Sequence, residues 1–134
     1  MATQQIKDSS DKVVPVQAGE SCNIVATFHD MGGTAIAKAA LLSLTATLYD
    51  EATSAVINSR NAQSVLDANQ GAVASDGALT LRLTPSDAVI AGSVSVGATE
   101  RHVLRLTWTW SDGVATRTGI DEWVLLVEKI ATPG

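Results

Sequence analysis

Within Glu100 to Lys129 apolar residues return at every second position from Leu104 to Trp110 and again from Trp123 to Val127, and no other feature of the chain restricts its fold as strongly. Leu104, Leu106, Trp108 and Trp110 share one side of the run while Arg105, Thr107 and Thr109 share the other, the two-residue period of a half-buried strand. Asp112-Gly113 supplies a tight-turn pair. Beyond it, Trp123, Leu125 and Val127 resume on the tryptophan-bearing face. All three tryptophans of the chain therefore belong to one hairpin, which marks it as the largest anchor of a core. With a two-residue loop, Thr109 would face Thr116 and Thr107 would face Thr118, an exterior ladder of threonines.

The same period recurs upstream. Cys22, Ile24, Ala26 and Phe28 alternate with Ser21, Asn23, Val25 and Thr27; Leu42, Leu44, Ala46 and Leu48 alternate with Ser43, Thr45, Thr47 and Tyr49; Leu79, Leu81 and Leu83 alternate with Thr80 and Arg82. Val13, Val14 and Val16, interrupted by Pro15, suit an edge strand, because proline cannot donate to a ladder. Ala55 to Asn58 reads as a hairpin-like return, and Gly71 to Ser75 as a further short strand. Ala35 to Leu41 fits a short helical turn or an irregular crossover, and Arg60 to Gln70 fits a strand or a short helix. Thr84-Pro85-Ser86-Asp87 combines a cap residue, a first-turn proline and an acid at the third helical position, so it predicts a single helical turn.

About seven to nine short strands at roughly 8–12-residue spacing predict an all-β chain, a β-sandwich of immunoglobulin-like or jelly-roll type. Residues 1–12 (MATQQIKDSSDK) lack periodicity and read as an extended N-terminal arm, leaving residues 13–134 as one domain. At 134 residues one core is affordable and two are not. With 46% hydrophobic and only 17% charged residues, the chain folds, and its sparsely charged exterior favours coverage by neighbours.

A net charge of −5 without clustered Lys or Arg disfavours nucleic acid as a partner. No apolar run is long enough to span a bilayer, and the N-terminus lacks the pattern of a secretory leader, so neither membrane insertion nor secretion by that route is expected. Cys22 is the only cysteine, which rules out an intrachain disulfide and suits a reducing cytoplasm.

The scarce reactive residues do not assemble into a catalytic set, and no enzyme, cofactor or metal site is expected. Glu100 and His102, two apart on a strand, could hold a metal or shuttle a proton, but two ligands fall short of a site. His29 beside Asp30 reads as a strand-end histidine bonded locally, and Cys22, on an apolar face beside Ile24, as a buried inert thiol. The acidic pairs Asp50-Glu51 and Asp121-Glu122 lack calcium-loop spacing and read as solvated strand ends. Arg117 is expected to stack on Trp108 or pair with Asp121, with an interface contact as the alternative. Gly32-Gly33 is a turn without phosphate-loop spacing.

Three blocks, LSLTATLYDEATSAVINSR (Leu42 to Arg60), DGALTLRLTPSDAVI (Asp76 to Ile90) and ERHVLRLTWTWSDGVATRTGIDEWVLLV (Glu100 to Val127), resemble small virion proteins of tailed bacteriophages with immunoglobulin-like accessory domains. The resemblance covers most of residues 42–130 and implies a non-enzymatic virion component made in the host cytoplasm. Capsid decoration (cement) is the favoured role, with the major capsid protein or other virion proteins as partners and many copies or a homo-oligomer per particle. The alternatives are a neck, tail or baseplate module, or a carbohydrate- or cell-surface-binding module. The contact elements expected for the first role are the arm around Ile6 and Lys7 and the ladder of Thr107, Thr109, Thr116 and Thr118.

Overall fold

The computed structural model of the chain describes residues 4–7, 13–30, 32–92 and 94–130. Among them it forms nine strands: β1 (Gln4–Lys7), β2 (Val13–Gln17), β3 (Cys22–Ala26), β4 (Leu41–Asp50), β5 (Gln63–Ser64), β6 (Gly71–Val73), β7 (Leu79–Leu83), β8 (Thr99–Ser111) and β9 (Thr116–Glu128). They pair into a four-stranded sheet, β1-β3-β7-β6, and a five-stranded sheet, β2-β9-β8-β4-β5. The inward residues of both sheets form one core cluster, so the chain is an all-β sandwich. Of the expected arm, residues 4–7 run parallel to β3 at the edge of the smaller sheet, whereas residues 1–3 and 8–12 lie outside the described residues.

The core follows the alternation. Leu104, Leu106, Trp108 and Trp110 of β8 and Trp123, Leu125 and Val127 of β9 are buried, as are Ile24 of β3 and Leu81 of β7 on the facing sheet. Phe28 meets Trp108 across the sandwich with ring centroids 4.6 Å apart. Each such side chain contributes about 1.5–3 kcal/mol by leaving water. Pro15 lies on edge strand β2, which pairs on one side only, in parallel with β9.

Two expectations about register are corrected. Leu42 does not join Leu44, Ala46 and Leu48 inside; the β4–β8 register shifts between Leu41 and Ser43, so Leu41 is buried and Leu42 is 52% exposed. A bulge adds one residue to one strand and exchanges the faces before it. The β8–β9 loop has four residues, 112–115, because Asp112 Oδ1 accepts bonds from the backbone N–H groups of Val114 (2.8 Å) and Ala115 (2.7 Å). Thr109 therefore faces Thr118, Thr107 faces Ile120, and Thr116 faces Ser111.

The connections take mixed forms. Lys38–Ala40 is a 3₁₀ turn, one of the two readings for that stretch. Pro85–Asp87 is the expected single turn: Thr84 N–H and Oγ1–H both donate to Asp87 Oδ2, at 2.7 and 3.2 Å. The stretch from Arg60 to Gln70 holds the two-residue strand β5 and is otherwise irregular.

Candidate functional site

The outward face of the five-stranded sheet can be assembled row by row from its register. One row crosses four strands as Val13, Val124, Val103 and Tyr49. The next, Glu122, Arg105 and Thr47, is charged at its centre, and Arg105 Nε donates to Glu122 Oε2 at 2.8 Å while its guanidinium lies over the Tyr49 ring, 5.8 Å from the centroid. A third row is Thr45, Thr107 and Ile120, and a fourth is Ser43, Thr109 and Thr118, closed by a 2.6 Å bond between the Ser43 and Thr109 hydroxyls. The threonines thus form a two-dimensional hydroxyl field over β4, β8 and β9. Thr107 and Thr109 are half-buried by their neighbours; Thr116 and Thr118 are exposed at the hairpin tip.

Ile6 and Lys7 sit elsewhere. Their backbones pair with Ile24 and Val25 at the edge of the other sheet. The two halves of the expected contact surface are therefore carried by different sheets. At the β2 end of the outer face, a groove of ≈ 440 Å³ is lined by Pro15, Gln17, Leu126 and Thr99 together with the carboxylates of Glu20 and Glu128.

Inside the sandwich, the even-numbered face of β8 that carries Leu104 to Trp110 also carries Glu100 and His102, which brings both beneath Asp50 at the end of β4. His102 Nε2 lies 2.7 Å from Glu100 Oε1 and 4.0 Å from Asp50 Oδ1. Glu100 also accepts bonds from Ala91 N–H (2.7 Å) and Gly92 N–H (2.5 Å), which ties the loop before β8 to the sheet. Asp50 Oδ2 accepts from the Thr53 hydroxyl (2.7 Å) and backbone N–H (3.2 Å), closing the turn after β4. Burial pushes the Glu100 carboxyl up, but the bonds from His102, Ala91 and Gly92 outweigh it and hold the group below its ordinary value.

The expectation that Asp50 is solvated at a strand end is overturned. It is 2% exposed, beside Glu100 at 7% and His102 at 0%. Alternation carries the signal that would have found it, since Asp50 follows Leu44, Ala46 and Leu48 on the inward face. Its neighbour Glu51 points out and pairs with Arg101 at 3.1 Å.

Arg117 pairs with Asp112 at 2.8 Å, not with the partners expected for it: the four-residue loop places it across from Trp110, next to the turn carboxylate. His29 is exposed and bridges Ala35. Cys22 is buried, and burial, with Asp87 and Glu20 adding to it, pushes its thiol up to about 11. Arg60 and Asp87 form a buried two-pronged ion pair, with Nε to Oδ1 at 2.6 Å and Nη2 to Oδ2 at 3.0 Å.

Neither the family models nor the curated proteins compared with this chain match it.

Proposed function

We propose that the chain is a non-enzymatic assembly domain of a bacteriophage virion, acting as a capsid decoration protein that bridges capsid subunits at the outer surface in many copies. The observation that carries this reading is the outer face of the five-stranded sheet. It carries an apolar row and two rows rich in threonine and serine hydroxyls, and its two arginines, Arg101 and Arg105, are already held by Glu51 and Glu122. Such a face loses little side-chain entropy when another protein covers it. A contact of about 800 Å² per partner fits a sheet face of this kind, and repetition over a shell multiplies modest contacts into strong attachment.

The strand order supports an immunoglobulin-like type. One sheet runs β1-β3-β7-β6 and the other β2-β9-β8-β4-β5, the order of the A-B-E-D and G-F-C sheets of that fold, with β2 as a split first strand. The parallel direction of β1 against β3 is a departure. Burial of Trp108, Trp110 and Trp123 speaks against a tryptophan stacking platform and so against a sugar-binding module.

The test is fractionation of particles from infected cells, following the protein by immunoblot. Recovery with tail-free capsids is expected, and occupancy should fall at least tenfold in the double variant Thr109→Lys/Thr118→Lys. Recovery with tails would place the protein in a neck, tail or baseplate module, and absence from every particle fraction would defeat the virion reading.

A further inference from the structure

The two buried acidic centres of the sandwich are neutralised very differently. Asp87 receives both prongs of the buried Arg60 guanidinium and the amide of Asn58, so its charge is matched. Asp50 and Glu100 are two carboxylates that share one imidazole, and among the described residues neither forms an ion pair with a lysine or arginine. Their other bonds come from neutral donors: the backbone of Ala91, Gly92 and Thr53, and the Thr53 hydroxyl. Buried charges persist when they are paired or bound to a metal. A protonated His102 supplies one positive charge against two negative ones, whereas a divalent cation supplies two.

We propose that Asp50, Glu100 and His102 form a structural site for a divalent transition-metal ion of the zinc class, fastening the β4 turn to the loop that precedes β8. One ligating atom from each residue lies within 4.8 Å of the other two. Tetrahedral bonds of roughly 2.0–2.2 Å to zinc set ligand atoms about 3.4 Å apart, so closure requires the three side chains to move by roughly 0.5–1.5 Å. The 4.0 Å from His102 Nε2 to Asp50 Oδ1 shortens by about 0.6 Å, and the 2.7 Å gap to Glu100 Oε1 widens by about 0.7 Å as the ion replaces the bridging hydrogen. That hydrogen moves to Nδ1, which is buried without a hydrogen-bond partner among the described residues. Protonation of the ring would place a hydrogen on Nδ1 equally, so this atom does not distinguish proton from metal; the charge count does. One nitrogen among oxygen ligands favours zinc-class ions over magnesium and calcium, which take oxygen sets. Entry is through the exposed loop at Ala91 and Gly92, whose N–H groups already hold Glu100.

The test begins with the full chain freed of metal by chelator, titrated calorimetrically with Zn²⁺ and, separately, with Mg²⁺. One equivalent of Zn²⁺ is expected to bind and to raise the thermal unfolding midpoint by several degrees, with no response to Mg²⁺ at the same concentration. Asp50→Asn, which preserves shape and can still accept from Thr53, should weaken Zn²⁺ binding at least tenfold, and His102→Gln should abolish it. Absence of a one-equivalent isotherm in the wild-type protein overturns the proposal without recourse to any variant. Equal Zn²⁺ binding by both variants overturns it as well, by assigning the ion to surface groups such as His29.

Discussion

Gly119 stands directly across the β8–β9 ladder from Trp108, and the Trp108 indole lies where a Cβ on Gly119 would have to be. The ring is folded over the bare backbone of β9 and touches Phe28 of the facing layer on its other side. A side chain at 119 must therefore expel the indole. Gly119→Val is expected to cost about 1–3 kcal/mol by overpacking, in spite of the better strand propensity of valine. Urea unfolding followed by tryptophan emission measures this, and the native spectrum should shift to the red as Trp108 gains solvent. A neutral or stabilising result would mean that the ring has room to move.

Alternation made most of the sandwich legible. Every inward residue of β8 from Glu100 to Trp110 obeys it, except that Val103, on the outer face, is also covered by its neighbours. What alternation cannot carry is a local event that breaks it. The bulge at Leu41/Ser43 exchanges one leucine for another, a choice to which composition is blind. The length of the β8–β9 loop is set by the backbone N–H groups of Val114 and Ala115, which donate to the Asp112 carboxylate, so the Asp112-Gly113 pair opens a four-residue loop and does not form a two-residue one. Asp50 was misread for the opposite reason: the period placed it inside, and its residue type argued it out. Arg60 offered no pattern at all, because its burial depends on acceptors 3, 9, 10 and 27 residues away that only the folded chain assembles.

Cys22 should be chemically silent in the native protein. With its thiol pushed up to about 11 by burial and by the carboxylates of Asp87 and Glu20, roughly one molecule in a thousand carries a thiolate at pH 8, and the sulfur is covered. A disulfide reagent at pH 8 is expected to release no signal on the minutes timescale from folded protein and one equivalent in denaturant. Fast stoichiometric reaction of the native chain would show that the strand end opens readily.

Between Ser54 and Gln70, seven non-glycine residues adopt positive φ, Ala62 (φ 50°) among them. A left-handed alanine costs about 1–2 kcal/mol, and it has no polar side chain to bond locally in compensation. Its N–H is held by the Thr47 hydroxyl at 2.9 Å, and its side chain is exposed, so removing the Cβ disturbs no packing. Ala62→Gly is therefore expected to stabilise the chain by about 0.5–1 kcal/mol, the relief of strain exceeding the entropy that glycine adds to the unfolded state. Chemical denaturation gives the sign directly, and a loss of stability would contradict the strain.

What holds that strained connection in place is Arg60. All five of its N–H donors are used: two on Asp87, and one each on Gln63, Gln70 and the carbonyl of Asn69. Removing one partner of a buried pair leaves the other uncompensated, so Arg60→Met and Asp87→Asn should each cost about 3–5 kcal/mol near neutral pH. The cost of Asp87→Asn should also depend on pH, with a sign that follows from the carboxyl's shift. Burial pushes Asp87 up, but the bonds from Arg60, Asn58 and Thr84 prevail and hold it below its ordinary value. A group whose folded value is depressed stabilises fully above its unfolded value of about 3.9 and loses that contribution as pH falls through the folded one. The stability gap between wild type and Asp87→Asn is thus expected to be constant from pH 7 to about pH 5 and to narrow steadily below pH 4. Urea titrations at pH 7, 5, 4 and 3 measure it, and a gap that stayed constant down to pH 3 would show that the ion pair contributes nothing through its charge.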